Sequence, residues 1–585
     1  MQFIVGIDLG TTNSALAFAP TEGGAVTPFP IAQLARPGEV RDEPLLPSCL
    51  FLHGPADFAA DKVALPWDPK PAYVTGQLAK LRGAEVPHRV IVSAKSWLCH
   101  GGVDRTAPIL PTEAPDGVAR ISPVEASRRY LEHMRAAWNH THPDAPLEKQ
   151  HLLVTVPASF DAVARDLTLR AAREAGYGEV TLLEEPQAAF YAWIERHEDW
   201  RDRVRPGDSI LVIDIGGGTS DFSLISVTEA AGQLELERVA VGEHILLGGD
   251  NMDLALAHHV AQELSGRGQK LDSMQMHSLW QNCRNAKEAL FGAKAPAEYP
   301  VTILGRGSKL IGGSIKAALK RSDAERIVID GFFPRVPSTE MPQRAPRSGF
   351  AEIGLPYAAD AAVTRHLAQF LRQKANKLAT PTHVLFNGGV FHASAIRERL
   401  LGVLNDWLAK EKAAPAKVLE GEDLMHAVSR GAAYYGLARS GRGIRIRGGI
   451  SRTYYIGVQS SMPAVPGMKP PMKALTVAKF GMEEGTRAEL RTRPFGLLVG
   501  EPAEFRFFAS VTRKDDDPGV VLEEFGDELT ELAPVSVTLP AEGQGGASVV
   551  PVTLETEITA TGQLQLWCVA KDGRRWKLEF NVRAR

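Results

Sequence analysis

Over the first three quarters of the chain, segments with the apolar pattern of strands alternate with segments that have the apolar spacing of helices. Short apolar runs predict strands at residues 3–7, 15–18 and His151–Val156. Apolar residues spaced three and four apart predict helices at 123–138 and 161–174. Asp161 is suited to begin the second helix as its N-cap, and Gly176 follows its end. Strands that alternate with helices indicate an α/β architecture.

The pattern is interrupted once and then resumes. Residues 330–356 are rich in Pro, Arg and Gly with little periodicity, which indicates a surface insertion. Helical spacing returns at 361–377, and a strand at 383–386 runs into Asn387-Gly388-Gly389. A further helix is predicted at 393–408. A strand that leads into glycines and then a helix is therefore a recurring theme.

The final quarter has strand-like alternation throughout and no helix-length pattern. Gly, Pro and Asp turns separate the predicted strands, which are 453–458, 475–480, 503–510, 535–539, 549–555, Gln563–Ala570 and 576–582. This texture predicts a separate all-β domain, most simply a sandwich. The predicted division is residues 1–440, a linker at 441–449, and the β domain at 450–585.

Composition excludes several classes of protein. With 585 residues and 44% hydrophobic content, the chain is long enough for several globular domains. A net charge of -3 gives no electrostatic reason to expect binding to nucleic acid or to an acidic membrane. The 4 cysteines form no C-x-x-C pair. No stretch has the apolar length of a signal peptide or a membrane span, so a cytoplasmic location is expected.

Two turns made of glycines, hydroxyls and carboxylates carry the candidate chemistry. The first is Gly6-Ile-Asp8-Leu-Gly10-Thr11-Thr12-Asn13-Ser, and the second is Asp214-Ile-Gly216-Gly217-Gly218-Thr219-Ser-Asp221. Each follows an apolar run. Glycines let backbone N–H groups approach phosphate oxygens, and carboxylates suit a hydrated magnesium ion. The pair predicts that ATP is clamped between two lobes.

These turns and five further motifs resemble the 70-kDa heat-shock chaperones of the DnaK type, within the actin and sugar-kinase superfamily. The further motifs are 154–160 (Val-Thr-Val-Pro-Ala-Ser-Phe), 184–189 (Glu-Glu-Pro-Gln-Ala-Ala), 247–250 (Leu-Gly-Gly-Asp), Lys287 and Asn387-Gly388-Gly389. The resemblance implies a two-lobed, actin-like ATPase domain followed by a substrate-binding β-sandwich.

The resemblance also implies roles for individual residues. Asp8, Asp214 and Asp221 would hold magnesium through water, while Lys95, Glu185, Asp214 and Thr219 would act in hydrolysis. The nucleotide would lie on Gly10, Thr11, Thr12, Asn13, Gly216, Gly217, Gly218, Thr219, Gly248, Gly249, Lys287, Gly388 and Gly389. A solvated lysine and a helix-capping carboxylate are the ordinary alternatives for Lys95 and Glu185, and Asp221 could cap its own backbone.

Departures from the family pattern fall on the nucleoside side. Arg284 stands where the family usually carries Glu, and Phe291 stands where it carries Ser. His392 replaces an adenine-stacking Arg, and Met425 replaces an Asp. These changes bear on adenine affinity, whereas the phosphate motifs are intact.

The β domain resembles the family's peptide-binding domain more loosely. Met462, Phe505 and Phe507 are candidates to line a peptide cleft, although alternating aromatics in a strand more often form core. The family's Leu-rich linker is replaced by a Gly- and Arg-rich segment, and no sequence for a helical lid follows the β domain. A lidless chaperone would release peptide quickly.

The sequence therefore predicts an ATP-dependent chaperone of the heat-shock-70 class, linked to protein folding and the stress response. Its expected cofactors are ATP or ADP with magnesium, and its expected partners are unfolded polypeptide, a co-chaperone and a nucleotide exchange factor. Two alternatives stay open: a nucleotide-sensing scaffold for one dedicated protein, and a small-molecule kinase of the same fold.

Overall fold

The computed structural model describes two compact units. One unit comprises Met1–Phe160, Ala164–Val227 and Ala240–Arg445, and the other comprises Asp161–Val163, Thr228–Val239 and Ile446–Arg585. The predicted linker at 441–449 lies outside the described residues, so the domain boundaries stay predictions. The structure describes all residues except 55–56, 101, 113, 115–116, 231–232, 304–313, 344–354, 356, 373–377, 422, 441–449, 451, 460–471, 483–485, 511, 526–527, 541–547, 559–562 and 582–585.

The described elements combine helices and strands, as the α/β prediction requires. The strands are β1 (Phe3–Asp8), β2 (Asn13–Pro20), β3 (Thr27–Pro28), β4 (Ile31–Arg36), β5 (Glu39–Glu43), β6 (Leu46–Pro47), β7 (Leu50–Phe51), β8 (Val74–Thr75), β9 (Val90–Ile91), β10 (His151–Val156), β11 (Val180–Glu184), β12 (Ser209–Ile215), β13 (Ser220–Ala230), β14 (Gln233–Val241), β15 (Glu298–Ile303), β16 (Ile315–Lys320), β17 (His383–Asn387), β18 (Lys417–Val418), β19 (Thr453–Gln459), β20 (Met472–Ala478), β21 (Arg487–Val499), β22 (Pro502–Ser510), β23 (Val521–Leu522), β24 (Thr530–Thr538), β25 (Ser548–Ile558), β26 (Gln563–Ala570) and β27 (Arg575–Asn581). The helices are α1 (Gln77–Glu85), α2 (Ala94–Cys99), α3 (Pro123–Thr141), α4 (Ala162–Glu174), α5 (Glu185–Arg196), α6 (Trp200–Arg203), α7 (Gly249–Gly266), α8 (Ser273–Leu290), α9 (Arg321–Glu325), α10 (Val363–Leu371), α11 (Ser394–Lys410) and α12 (Ala427–Arg439).

Two sheets, whose strands β1 and β12 belong to the first unit, repeat one arrangement. The first has the strand order β11-β10-β1-β2-β3, with β6 also paired to β2, and the second has the order β14-β13-β12-β17-β18. In each sheet, a strand (β1 or β12) pairs antiparallel with the next strand along the chain and parallel with a later one. Each antiparallel turn holds one of the two glycine- and hydroxyl-rich motifs. The topology therefore places both motifs at strand ends.

Helices cover both faces of the first sheet because successive side chains of a strand point to opposite faces. Val5 and Ile7 of β1 lie in one buried cluster with Trp138 of α3. Ile4 lies in a second cluster with Ala432 of α12. Burial of each large apolar side chain stabilises the fold by about 1.5–3 kcal/mol, so both faces contribute to the core.

Helix α12 approaches α5 and β1 unusually closely, and this contact requires glycine. A Cβ placed on Gly431 would lie 1.7 Å from the carbonyl oxygen of Ala188 in α5. A Cβ placed on Gly6 in β1 would lie 2.2 Å from the carbonyl oxygen of Ser429 in α12. No side chain fits at either position without moving backbone.

The second unit is built from strands in its C-terminal part. One sheet has the order β23-β20-β19-β22-β24, and the other has the order β21-β25-β26-β27. Leu475 and Phe507 from the first of these sheets and Leu566 from the other belong to one hydrophobic cluster. The two sheets therefore share a core.

Several predicted bounds differ from the structure. Helix α3 extends to Thr141, beyond the predicted end at residue 138, and α10 spans Val363–Leu371 where 361–377 was predicted. Residues 373–377 lie outside the described part of the chain. Helices α7 and α8 were not predicted from periodicity. Residues 344–354 and 356 of the predicted insertion also lie outside the described residues.

Candidate functional site

The two predicted phosphate loops face each other and touch. A Cβ placed on Gly217 of the second loop would lie 2.1 Å from Thr12 Oγ1 of the first, and one on Gly218 would lie 3.0 Å from Thr11 Cγ2. Within the first loop, a Cβ on Gly10 would lie 2.0 Å from the carbonyl oxygen of Asn13. The glycines therefore permit both the sharp turn and the close approach of the loops.

A cavity of about 530 Å³ lies between these loops and is lined by most of the predicted site residues. Those residues are Asp8, Gly10, Thr11, Thr12, Asn13, Lys95, Glu185, Asp214, Gly216, Gly217, Thr219, Asp221, Gly249, Lys287, Gly388 and Gly389. Gly218 lines an adjoining cavity of about 260 Å³. Gly248 lies behind the second loop, since a Cβ there would lie 2.6 Å from the carbonyl oxygen of Gly217.

Three carboxylates, those of Asp8, Asp214 and Asp221, line this cavity. Asp8 ends β1 next to Thr155 of β10, and Asp214 of β12 is paired in register with both Asp221 of β13 and Asn387 of β17. Nδ2 of Asn387 donates a hydrogen bond of 2.7 Å to Asp214 Oδ2. The sheet registers therefore bring together side chains that are more than 200 residues apart.

Burial makes Asp8 and Asp214 costly to ionise. Burial is the largest effect that raises the pKa of Asp8 to about 7, opposed by Lys95 and reinforced by Glu185. Burial followed by repulsion from Glu185 raises the pKa of Asp214 to about 8. The positive charge of Lys95 alone does not offset the free-energy cost of ionising several buried carboxyl groups close together. A hard divalent cation with oxygen ligands suits this donor set, so the residues fit magnesium.

Lys95 is buried and paired, in contrast to a solvated surface lysine. It lies in the short helix α2 with its side chain only 7% exposed, and its Nζ donates a hydrogen bond to Glu185 Oε1. Burial lowers the pKa of Lys95, but attraction to Glu185 and Asp8 outweighs that effect and raises it. Lys95 is therefore a cation fixed at the carboxylate end of the cavity.

Glu185 owes its position to the junction between a strand and a helix. It is the first residue of α5, directly after β11, with Pro186 in the first turn. The preceding Glu184 pairs with buried Arg165, whose Nη2 lies 3.0 Å from Glu184 Oε1. Adjacent carboxylates thus face different partners, and only Glu185 faces the cavity.

Asp221 has two partners that the sequence analysis did not assign. Ser159 Oγ donates a 2.7 Å hydrogen bond to Asp221 Oδ1, and Nδ1 of His244 lies 3.1 Å from the same oxygen. Burial alone would raise the pKa of Asp221, but His244 and these hydrogen bonds hold it below its usual value. Burial likewise acts to lower the pKa of His244, but Asp221 and then Cys99 hold it well above its usual value.

Those partners arise from long-range contacts. Ser159 follows Pro157-Ala158 in the 154–160 motif, and that motif was the sequence signal that could have identified this residue. His244 precedes the Leu247-Gly248-Gly249 motif with no pattern of its own. Contacts across 62 and 23 residues bring both to Asp221.

The side of the cavity that is predicted to bind the nucleoside is lined by an ion-pair network. Lys287 Nζ donates 2.9 Å to the carbonyl oxygen of Gly249 and lies 2.7 Å from Asp253 Oδ1. Arg284 pairs with Asp250 and, at 3.2 Å, with Asp253. Arg284, which departs from the family pattern, therefore forms ion pairs with two acidic side chains of α7.

The remaining departures from the family pattern lie around the Asn387-Gly388-Gly389 motif. Gly388 has φ +93°, and a Cβ there would lie 2.3 Å from the carbonyl oxygen of Ile215. Sδ of Met425 would be 3.6 Å from a Cβ on Gly389, and Phe291 and His392 line the same cavity. Apolar and aromatic groups thus form the wall at this end.

The peptide-binding candidates belong to the second unit. Phe507 is 2% exposed and stacks on Tyr454 with ring centroids 5.5 Å apart. Phe505 is partly buried and packs against the same core cluster. Met462 lies outside the described residues. The position of Phe507 agrees with the core alternative stated from the sequence.

Comparison with known proteins gives consistent results. A sequence profile of the family described as "Hsp70 protein" matches residues 109–335. The "Chaperone protein HscA homolog" of Pseudomonas fluorescens is 32% identical over 307 residues, covering 50% of this chain and 42% of that protein. The protein of the same name from Bordetella pertussis is 30% identical over 338 residues, covering 56% and 46%.

These matches agree with the motifs that line the cavity. Residues 109–335 match the Hsp70 profile, and the chain is similar to curated chaperones over about half of its length. It spans a little under half the length of the curated relatives that it matches. Within the described residues, no helix combines the length and apolarity needed to cross a membrane.

Proposed function

We propose that this protein is an ATP-dependent chaperone-like ATPase. In this proposal, a two-lobed, actin-like domain at residues 1–440 binds and hydrolyses ATP with magnesium, and a β-sandwich at 450–585 binds unfolded or extended polypeptide. One observation carries the proposal: opposed phosphate loops share a cavity with three carboxylates and the buried pair of Lys95 and Glu185.

The phosphate loops would bind the polyphosphate through their backbone N–H groups and hydroxyls. Oγ1 of Thr12 is buried and has no hydrogen-bond partner among the described residues, which supports a role as a ligand contact. Gly10, Thr11, Asn13, Gly216, Gly217, Gly218 and Thr219 would complete this cradle. Because the two loops contact each other, we expect one ligand to bind to both of them and to fix their separation.

Asp8, Asp214 and Asp221 would hold the magnesium ion through water. When bound, the ion would neutralise charge on the polyphosphate and so ease attack at the γ-phosphate. Ser159 and His244 would keep Asp221 ionised and oriented. Asn387 would orient Asp214 in the same way.

Lys95 and Glu185 would act at the reacting end of the nucleotide. The buried ammonium of Lys95 would stabilise charge that develops on the phosphoryl oxygens, and Glu185 would fix the position of that ammonium. Glu185 and Asp214 would orient the attacking water. Thr219, at the start of the second hairpin's return strand, would contact the same phosphate.

The nucleoside would lie on Gly248, Gly249, Lys287, Gly388 and Gly389. The wall formed by Phe291, His392 and Met425 offers stacking and apolar contact rather than hydrogen-bond partners specific for adenine. We therefore expect weak discrimination between purine bases.

The chaperone part of the proposal is supported by the similarity to proteins named as chaperones and by the β-rich second unit. Two sheets with one shared core offer edge strands and loops that could take up an extended peptide through backbone hydrogen bonds. A co-chaperone and a nucleotide exchange factor are the further partners that this family implies.

The test is phosphate release from ATP by the full chain, with and without an unfolded peptide. We expect slow, magnesium-dependent release of inorganic phosphate that peptide stimulates and that Asp8→Ala abolishes. A chain ending near residue 439 serves as a comparison for the role of the β domain, provided that it folds. Transfer of phosphate to a small molecule would instead support the kinase alternative.

A scaffold that senses nucleotide is the second candidate. It is favoured by the ion-pair network in which Arg284 and Lys287 both contact Asp253. Because Lys287 is already paired with Asp253, it would have to contact that carboxylate and the ribose of a bound nucleotide at the same time. One stable protein partner together with nucleotide binding but no turnover would support this candidate over the chaperone.

A further inference from the structure

A second cavity adjoins the proposed nucleotide site and has no role in the function proposed above. Its volume is about 260 Å³, and Thr11, Thr12 and Gly218 of the phosphate loops line one side of it. Residues of the helices α1, α2, α7 and α8, together with Leu355 and Tyr357, are among those that line the rest. A ligand in this cavity would therefore lie next to the phosphate loops without occupying the larger cavity.

Several large apolar side chains on this lining remain exposed to solvent. Val92 is 46% exposed, Leu254 is 37% exposed and Tyr357 is 61% exposed. All three line the cavity together with Trp280, whose Nε1 donates a 3.1 Å hydrogen bond to the carbonyl oxygen of Asp250. That hydrogen bond fixes the orientation of the indole ring. Exposed apolar groups that surround one cavity indicate a ligand with an apolar body.

Lys80 of α1 adds an unpaired cation to the same lining. Its ammonium group forms no ion pair or hydrogen bond with another described residue. Burial, followed by repulsion from Arg284, lowers the pKa of Lys80, and nearby acidic groups only partly oppose these effects. Asp250, the carboxylate among the described lining residues, is already paired with Arg284. Two lysine and arginine cations therefore face one carboxylate, and the excess of one positive charge suits a monoanion.

The hydroxyl of Ser96 is a second polar group without a partner on this lining. Ser96 of α2 is only 2% exposed, and it lines the smaller cavity but not the larger one. Its hydroxyl forms no hydrogen bond with another described residue. A buried hydroxyl without a partner is costly, so a ligand oxygen that accepts its hydrogen bond would recover that free energy.

We propose that the smaller cavity binds a small organic monocarboxylate with a flat apolar body. The apolar body packs against Trp280 and Val92, and the carboxylate pairs with the ammonium group of Lys80. Ser96 donates a hydrogen bond to the same ligand. None of these contacts takes part in the proposed hydrolysis, so the carboxylate site does not depend on the function proposed above.

The test uses calorimetry to compare the binding of 2-naphthoate and of 2-naphthylmethanol, its uncharged counterpart, to the full chain. We expect 2-naphthoate to bind saturably and about tenfold or more tightly than the alcohol, because only the carboxylate forms a charge-assisted pair. Lys80→Met should abolish this preference. Lys149→Met removes an exposed lysine that lines neither cavity and should preserve it. Val92→Trp should weaken both ligands by about tenfold or more, because the larger side chain takes up part of the cavity.

A second titration of 2-naphthoate contains saturating ADP and magnesium, and binding should persist. Displacement by ADP would show that 2-naphthoate occupies the larger cavity, and this result would overturn the proposal. Equal affinity for the two ligands, or a preference that survives Lys80→Met, would refute the pairing with Lys80. Lys80→Gln gives the same comparison should Lys80→Met not fold. Binding that Val92→Trp leaves unchanged would refute the location.

The two proposals of function can fail separately. If the protein binds no ADP, the ATPase proposal fails, whereas the naphthoate titrations of the substituted proteins still decide the carboxylate site. If ADP binds and 2-naphthoate does not, the carboxylate site fails and the ATPase proposal stands.

Discussion

Lys95→Met tests the centre of the proposed site most directly. The substitution preserves the length of the side chain but removes the cation that contacts Glu185 and lowers the pKa of Asp8. Two buried carboxyl groups then lose their shared positive neighbour. The variant therefore separates what Lys95 contributes to folding from what it contributes to hydrolysis.

The structure sets the expected magnitudes. Removal of one partner of a buried ion pair costs 3–5 kcal/mol in general, and we expect about 3 kcal/mol here because Asp8 can take up a proton near neutral pH. For hydrolysis, loss of one fixed donor to developing charge predicts a decrease of about 100- to 1,000-fold in rate. Nucleotide affinity should change far less, since the loops that bind the phosphates are untouched.

The assays are urea denaturation for stability, calorimetry for nucleotide affinity and single-turnover phosphate release for hydrolysis. The matched control is Lys95→Met combined with Glu185→Gln, which removes both buried charges. Stability should recover in the double variant, whereas hydrolysis should not. If folded Lys95→Met hydrolyses ATP within about threefold of the unsubstituted rate, Lys95 does not stabilise the reacting phosphate.

The remaining predictions concern the loops, a buried histidine and the carboxylates. Gly217→Ala should weaken ADP binding by about tenfold or more in calorimetry, because its Cβ would strike the first loop, while Gly266→Ala, in open space, should not. Burial lowers the pKa of His133 to about 4, so about 3 kcal/mol of stability should be lost as pH falls from 6.5 to 4. A flat urea-denaturation profile across that range, or one unchanged by His133→Gln, would contradict this. Asp8 and Asp214, with pKa values of about 7 and 8, should release protons on binding magnesium and ADP at pH 7, and release should vanish above about pH 9. Equal calorimetric heats in buffers of different ionisation enthalpy would argue against it.

The phosphate side of the site could be predicted from local sequence. Glycine, hydroxyl and carboxylate groups at strand ends carry their chemistry within a few residues, and the structure brings them together in one cavity. Strand β10 was predicted with its observed bounds, since a run bounded by Gln150 and Pro157 leaves little freedom. Local signals were sufficient to locate groups of residues that lie together because they are neighbours in sequence.

The rest depends on contacts between distant segments. His244 and Ser159 reach Asp221 only because separate elements meet. Ser159 at least lies in the 154–160 motif, whereas no local pattern marks His244. Helix α8 was missed although a signal was present: Asp272 and Gln275 form a capping box at its start. Phe507 shows a different limit of sequence analysis. Alternation along a strand predicts that the Phe507 side chain is buried, but it does not say whether the protein core or a bound ligand covers that side chain.

The glycine contacts of α12 have a mechanical consequence. Near Gly431 the backbones of α12 and α5 lie directly against each other, and Tyr191 of α5 packs on Tyr434 and Tyr435 of α12. We therefore expect the two helices to move together. Glu185 stands at the leading end of α5, and α12 ends at Arg439. A displacement of the C-terminal end of α12 would then shift α5 and, with it, Glu185, the carboxylate that contacts Lys95.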